Sequence, residues 1–175
     1  MPRESAIVLL VPEADPVVAR WRARYDAAAA LGVPAHVTLL YPWRTAPVTD
    51  DDLAELTAAL SGARAFTLTF ADFGRFPRVL YLEPDQDAPV RALILRLAAA
   101  FPEHPPYGGM PVADVVPHLT IADLPAGGEL APLAATIEPD VRPSLPIASR
   151  ASVVTVLESD QAGRFTVRAS MPLDE

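Results

Sequence analysis

The residues of this chain best suited to chemistry are two histidines and two threonines in a repeated frame, His36-Val37-Thr38-Leu39 and His118-Leu119-Thr120-Ile121. The chain has three histidines in all, so two of the three share the pattern His-x-Thr. Imidazole is the side chain that ordinarily titrates near neutrality. Two imidazoles facing one cleft could serve a displacement at phosphorus. One neutral ring would take a proton from an attacking water or hydroxyl while a protonated partner delivers one to the leaving oxygen. The threonine hydroxyls could donate to the non-bridging phosphate oxygens as charge builds there, and the four groups together would hold an in-line geometry.

Such chemistry needs elements that bring the two frames together. Ala35 to Pro42 and Pro117 to Leu124 each read as a β-strand, because β-branched and aliphatic residues are concentrated between proline boundaries. Alternate side chains of a strand share a face, so His36 projects beside Thr38 and His118 beside Thr120. Val37, Leu39, Leu119 and Ile121 then point the other way, into apolar packing.

The rest of the chain supplies supports for these strands. Ser5 to Val11 reads as a buried first strand. Asp15 and Pro16 open an amphipathic helix that runs to Gly32, with Val17, Val18, Trp21, Tyr25 and Ala28 on one side and Arg20, Arg22 and Arg24 on a solvated face. Thr49 and Asp50 to Asp52 start a second helix with a Leu53, Leu56, Leu60 stripe. Phe66 to Phe70 and Val79 to Glu83 form a hairpin around Gly74 to Pro77. A third helix begins near Asp87 and Pro89 and buries Val90, Leu93, Ile94, Leu97 and Phe101. Residues 102–116 are rich in proline and glycine and lead straight into His118, the mark of a wall or lid of the cleft. Leu130, Leu133 and Ile137 mark a fourth helix, and strands at 151–158 and 164–171 close the chain.

The order helix, His-Thr strand, helix, hairpin thus occurs twice, with the histidines 82 residues apart. The duplication predicts one α+β domain over 1–175, made of two pseudo-symmetric lobes of antiparallel sheet with helices outside. The lobes are expected at roughly 13–84 and 85–172, with strand 5–11 added to one of them, and the His-Thr strands facing a central cleft.

Composition narrows the function. Net charge is −8 and hydrophobic content 51%, which suits a folded protein without a general grip on duplex DNA. All fourteen basic residues are arginine. Lacking lysine, the chain forms no lysyl-nucleotide intermediate, no Schiff base and no P-loop lysine contact. Lacking cysteine, it has no disulfide, thiolate nucleophile or cysteine-zinc site. Ile7 to Val11 is too short for a signal-peptide core and no apolar run spans a bilayer, so the expectation is a cytoplasmic protein without membrane association, acting as a monomer.

The two tetrapeptides resemble the signatures of the two-histidine (HxTx) phosphoesterase superfamily, close to the 2′-5′ RNA ligase and RNA 2′,3′-cyclic phosphodiesterase branch, and the duplicated α+β order resembles that family's architecture. The resemblance implies an enzyme that opens 2′,3′-cyclic phosphates, usually to a 2′-phosphate, and in some members joins or cleaves 2′-5′ linkages without ATP. By this reading His36, Thr38, His118 and Thr120 are catalytic. No metal or other cofactor takes part, and the partner is a small nucleotide or an RNA terminus.

Further candidates surround the frames. Arg44, Arg75 and Arg78 could bind phosphate bidentately. Tyr41, Trp43, Phe76 and Tyr107 could stack on a base, with Tyr107 in the proline-rich loop the best placed. His104 reads as an exposed loop residue. Three competing readings stand beside the enzyme. The histidines could be satisfied core residues, they could bind a metal with Asp114 or Asp123, or the fold could be a nucleotide-binding module without significant turnover.

Overall fold

The computed structural model describes residues 3–175. The strands are β1 (Ser5–Leu10), β2 (His36–Leu40), β3 (Phe66–Arg75), β4 (Val79–Pro84), β5 (Leu119–Asp123), β6 (Ile147–Ala151), β7 (Val153–Ser159) and β8 (Phe165–Pro172). The helices are α1 (Asp15–Tyr25), α2 (Ala27–Ala30), α3 (Asp50–Leu60), α4 (Ala88–Ala100) and α5 (Leu130–Val141). The class is α+β, with two antiparallel four-stranded sheets of order β2-β1-β7-β8 and β5-β4-β3-β6. No helix among the described residues is long and apolar enough to cross a membrane.

Each His-Thr strand lies at one edge of its sheet, and β2 and β5 approach one another where the sheets meet. The two halves exchange parts. The β3-β4 hairpin, which follows His36, pairs with β5, whereas β7 and β8, which follow His118, join the sheet that holds β2. The lobes therefore do not follow the contiguous spans 13–84 and 85–172. β1 occupies in the first sheet the place beside the His strand that β4 has in the second. The helices cross over as well, since α1 packs on β5 and α4 on β2. One continuous cluster of buried apolar side chains runs through both sheets, which is why neither half could bury its face alone.

Local sequence explains most element ends. Thr49 caps α3 with a reciprocal box, accepting from the Asp52 amide while the Asp52 carboxylate accepts from the Thr49 amide. α1 starts with proline in its first turn. The expected single helix to Gly32 is broken at Asp26, whose extended backbone ends α1 and whose carboxylate accepts from the Ala28 amide to cap α2. Arg22 is not on a solvated face: it is buried and donates from Nε and an Nη to the buried Asp26 at 3.0 and 2.9 Å. Removing one member of such a pair strands the other charge and costs about 3–5 kcal/mol in comparable sites.

Candidate active site

The alternation in both His strands is as the pleat requires. Val37, Leu39, Leu119 and Ile121 are fully buried, each burial being worth about 1.5–3 kcal/mol. His36, Thr38, His118 and Thr120 are half-buried and line one cleft of about 540 Å³. The two large apolar residues that flank each threonine thus anchor the strand while the polar pair is held at the cleft wall.

The imidazoles are oriented in the same way. His36 Nδ1 lies 2.7 Å from the carbonyl of Pro34, and His118 Nδ1 lies 2.7 Å from the carbonyl of Val116, two residues back in each case. A carbonyl only accepts, so each Nδ1 carries the hydrogen and donates it. Each Nε2 is left without a hydrogen-bond partner among the described residues, on rings that line the cleft.

Their electrostatic surroundings differ. Burial holds His36 well below its ordinary value, at about 4, with the Arg22 guanidinium and His118 adding to the depression against the carbonyl of Pro34 and the Asp26 carboxylate. Burial also lowers His118, but there the Val116 carbonyl and the Asp123 carboxylate both oppose it. His36 is therefore neutral at pH 7, its Asp26 carboxylate being countered by Arg22, whereas at His118 the Asp123 carboxylate favours the charged form with no guanidinium set against it.

His118 is also held by aromatic rings. Phe76 meets it edge to face at 5.2 Å between centroids and Tyr81 lies tilted at 5.3 Å, while the two aromatic rings pack on each other at 4.5 Å. Tyr81 is a residue the sequence reading did not single out. Its signal lay in the hairpin register, where it stands opposite Gly74. Asp26, Leu31, Val33 and Phe165, which also line the cleft, carried no local motif and come together only through the tertiary fold.

The remaining candidates divide. Tyr107 lines the cleft, 41% exposed, with its amide donating to the Tyr41 carbonyl at 2.6 Å and its phenol at the Thr38 hydroxyl. Loop 102–118 is thereby tied to the end of β2 and forms one wall. Tyr41 lines the cleft too, but its hydroxyl donates to the Glu4 carboxylate, and burial with that contact pushes the phenol up to about 12. Phe76 is in the lining; Trp43 is in the core, 2% exposed and edge-on to Phe101.

No candidate arginine lines the cleft. Arg44 is surrounded by Asp52, Glu55 and Glu103 at 3.0, 2.7 and 3.1 Å, and an Nη donates to His104 Nε2 at 2.9 Å. His104 is accordingly half-buried rather than exposed. Arg75 pairs with Glu138, and Arg78 donates to the Leu124 carbonyl. Among the described residues, no three His, Asp or Glu side chains are grouped to hold a metal ion, so His36 and His118 do not form a ligand set with Asp114 or Asp123.

With this geometry, a fold of two His-edged sheets around a shared cleft, the kinship is defined. The chain belongs to the 2′-5′ RNA ligase superfamily, whose family model matches residues 10–163. No curated protein sequence matched it. Among solved structures it is similar to E. coli LigT complexed with 3′-AMP, at 20% identity and a TM-score of 0.66 over 100% of both chains. It is also similar to a structure described as a phosphoesterase, at 18% identity and a TM-score of 0.64 over 100% of both chains. The protein TT0787 of Thermus thermophilus is 20% identical with a TM-score of 0.57 over 97% of each chain. At these identities the structural likeness is one of fold.

Proposed function

We propose that the protein is a metal-independent phosphodiesterase that opens 2′,3′-cyclic phosphates of nucleotides or RNA ends to 2′-phosphates, with His36, Thr38, His118 and Thr120 as its catalytic residues. The observation that carries this reading is the matched pair of Nδ1-to-carbonyl bonds, which leave both Nε2 atoms without a partner among the described residues, on rings that line one cleft together with Thr38 and Thr120. Structures of E. coli LigT complexed with 3′-AMP, ATP and NADP+ support a nucleotide-like ligand.

His36, neutral at pH 7, is suited to be the base. His118, with Asp123 favouring its cation and a phosphate anion adding to that preference on binding, is suited to be the acid. Water attacks phosphorus and gives its proton to His36 Nε2. The bond from phosphorus to O3′ breaks, and O3′ takes the proton of His118 Nε2, leaving the 2′-phosphate. Thr38 and Thr120 donate to the non-bridging oxygens as their charge grows. Exchange with solvent returns the proton from His36 to His118. With a 5′-hydroxyl in place of water, the same displacement would leave a 2′-5′ linkage and needs no ATP.

The test is hydrolysis of 2′,3′-cyclic mononucleotides and of short RNAs ending in a cyclic phosphate, in EDTA. Activity is expected to survive chelation, and His36→Ala or His118→Ala each to lower kcat at least about 100-fold. Binding without turnover would make the protein a nucleotide-binding module instead. Loss of activity in EDTA with recovery on adding one divalent ion would make it a metalloenzyme.

A further inference from the structure

Among the described residues, the lining of the cleft contains no arginine, although arginine is the only strong cation this chain has. Its charged members are Asp26, Asp114 and Asp123 beside the two histidines. Asp26 is neutralised by the buried Arg22. Asp114 and Asp123 are exposed at the cleft, and among the described residues no arginine stands within ion-pairing distance of either. Arg78, at the turn before the cleft residue Val79, is turned to the Leu124 carbonyl. Much of the remaining lining is apolar, formed by residues that include Val8, Leu31, Val33, Leu157 and Phe165.

A site built for several phosphates gathers guanidinium groups or backbone amides around them. Here Arg44 and Arg75 are tied to acids outside the cleft lining and Arg78 to a backbone carbonyl, and the overall charge of −8 repels a polyanion before it arrives. One negative charge can be held between two imidazoles and two hydroxyls. A second one a few ångströms away would face carboxylates.

We infer that the site, on the phosphodiesterase reading above, selects substrates whose single negative charge is the cyclic phosphate itself: nucleoside-sized cyclic phosphates with a neutral or hydrogen-bond-donating remainder, rather than RNA ends or nucleotides carrying a further phosphate. Asp114 and Asp123 are the residues that set this preference, by rejecting added anionic charge and accepting hydrogen bonds from sugar or amino groups. The apolar wall receives the less polar face of the same molecule.

The experiment compares adenosine 2′,3′-cyclic phosphate with its 5′-phosphorylated counterpart and with a trinucleotide ending in the same cyclic phosphate. At low salt, kcat/KM is expected to be at least about fivefold lower for the 5′-phosphorylated compound, in line with a few screened charge contacts, and lower still for the trinucleotide. The ratio should fall to within about twofold in an Asp114→Asn/Asp123→Asn variant and at high ionic strength. Because both substrates pass through the same chemical step, the ratio cancels any change in His118 caused by losing Asp123. Equal or faster turnover of the more highly charged substrates, or a ratio unmoved by the double variant, would overturn the inference and leave the phosphodiesterase reading intact. If no cyclic phosphate is hydrolysed, that reading falls. Binding of adenosine 2′-monophosphate against adenosine 2′,5′-bisphosphate then still reads the charge preference, and equal affinity refutes it.

Discussion

Gly74 and Tyr81 face each other across the β3-β4 hairpin, and the Tyr81 ring occupies the space where a Cβ on residue 74 would stand. The bare backbone at Gly74 lets the ring lie down toward His118, 5.3 Å away between centroids. Gly74→Ala would push the ring off the strand. Overpacking of this kind costs about 1–3 kcal/mol, and the displaced ring no longer supports the imidazole. The expected result is a kcat loss of about tenfold or more with KM nearly unchanged, in a protein whose circular dichroism is that of the parent. Tyr81→Phe keeps the ring and should retain nearly full kcat. Equal kcat in the Gly74→Ala variant and the parent would show that Tyr81 does not position His118.

The individual strands and helices were largely legible in the sequence because their signals are local. The two His-x-Thr frames carried their own pleat, Thr49 and Asp52 carried a capping box, and Val90, Leu93, Ile94 and Leu97 recurred at helical spacing and are all buried. What escaped depended on partners far along the chain. β6 pairs with β3, which lies far earlier in the chain, so no local turn signal marks the pairing. The exchange of hairpins between sheets follows from which edge each connection can reach, a property of the folded pair. Arg22 and Asp26 stand four apart on one helix side, a spacing that is equally at home on a surface; only the packing of α1 against β5 takes the pair indoors. Arg44 read as a phosphate ligand because it follows the first frame closely. Its acids come from α3 and from the loop after α4, which no local pattern connects to it.

The pH dependence of activity follows from the two imidazoles. In kcat/KM, which reports the free enzyme, the acid limb is expected at about pH 4, where His36 takes a proton. The basic limb is expected below 6.5, where the lowered His118 loses its own. A bell of this shape belongs to the pair and does not by itself say which ring is the acid. Residual activity of His36→Ala decides that. With His118 as acid it falls as pH rises, and with His118 as base it would climb.

Stability carries a separate signature of His36. Its pKa in the folded protein is about 4 against an ordinary 6.5, so between these values the unfolded chain binds more protons than the folded one. Folding is then favoured by rising pH, fully so above about 6.5, and loses at most about 3 kcal/mol as pH falls toward 4. His36→Gln should flatten this part of a urea-denaturation series against pH. An unchanged slope would place the titrating group elsewhere.

Tyr107 separates strain from function. Its φ of 50° is the only positive value among non-glycine described residues, a left-handed conformation that costs an ordinary residue about 1–2 kcal/mol. The conformation persists because the Tyr107 amide donates to the Tyr41 carbonyl and the phenol rests at Thr38, on the wall of the cleft. If the ring stacks on a nucleobase, removing it costs about 1–3 kcal/mol of binding. Tyr107→Gly removes the ring and the strain together, while Tyr107→Phe keeps the stacking face and removes only the hydroxyl. Tyr107→Gly is expected to melt at the parent's temperature or above it, yet to raise KM for a cyclic nucleotide about fivefold or more. Tyr107→Phe should leave KM within about twofold, since its face is intact. A Tyr107→Gly protein with lowered stability and unchanged KM would instead make the ring an anchor for the loop, and base recognition would pass to another aromatic ring of the lining, such as Phe76.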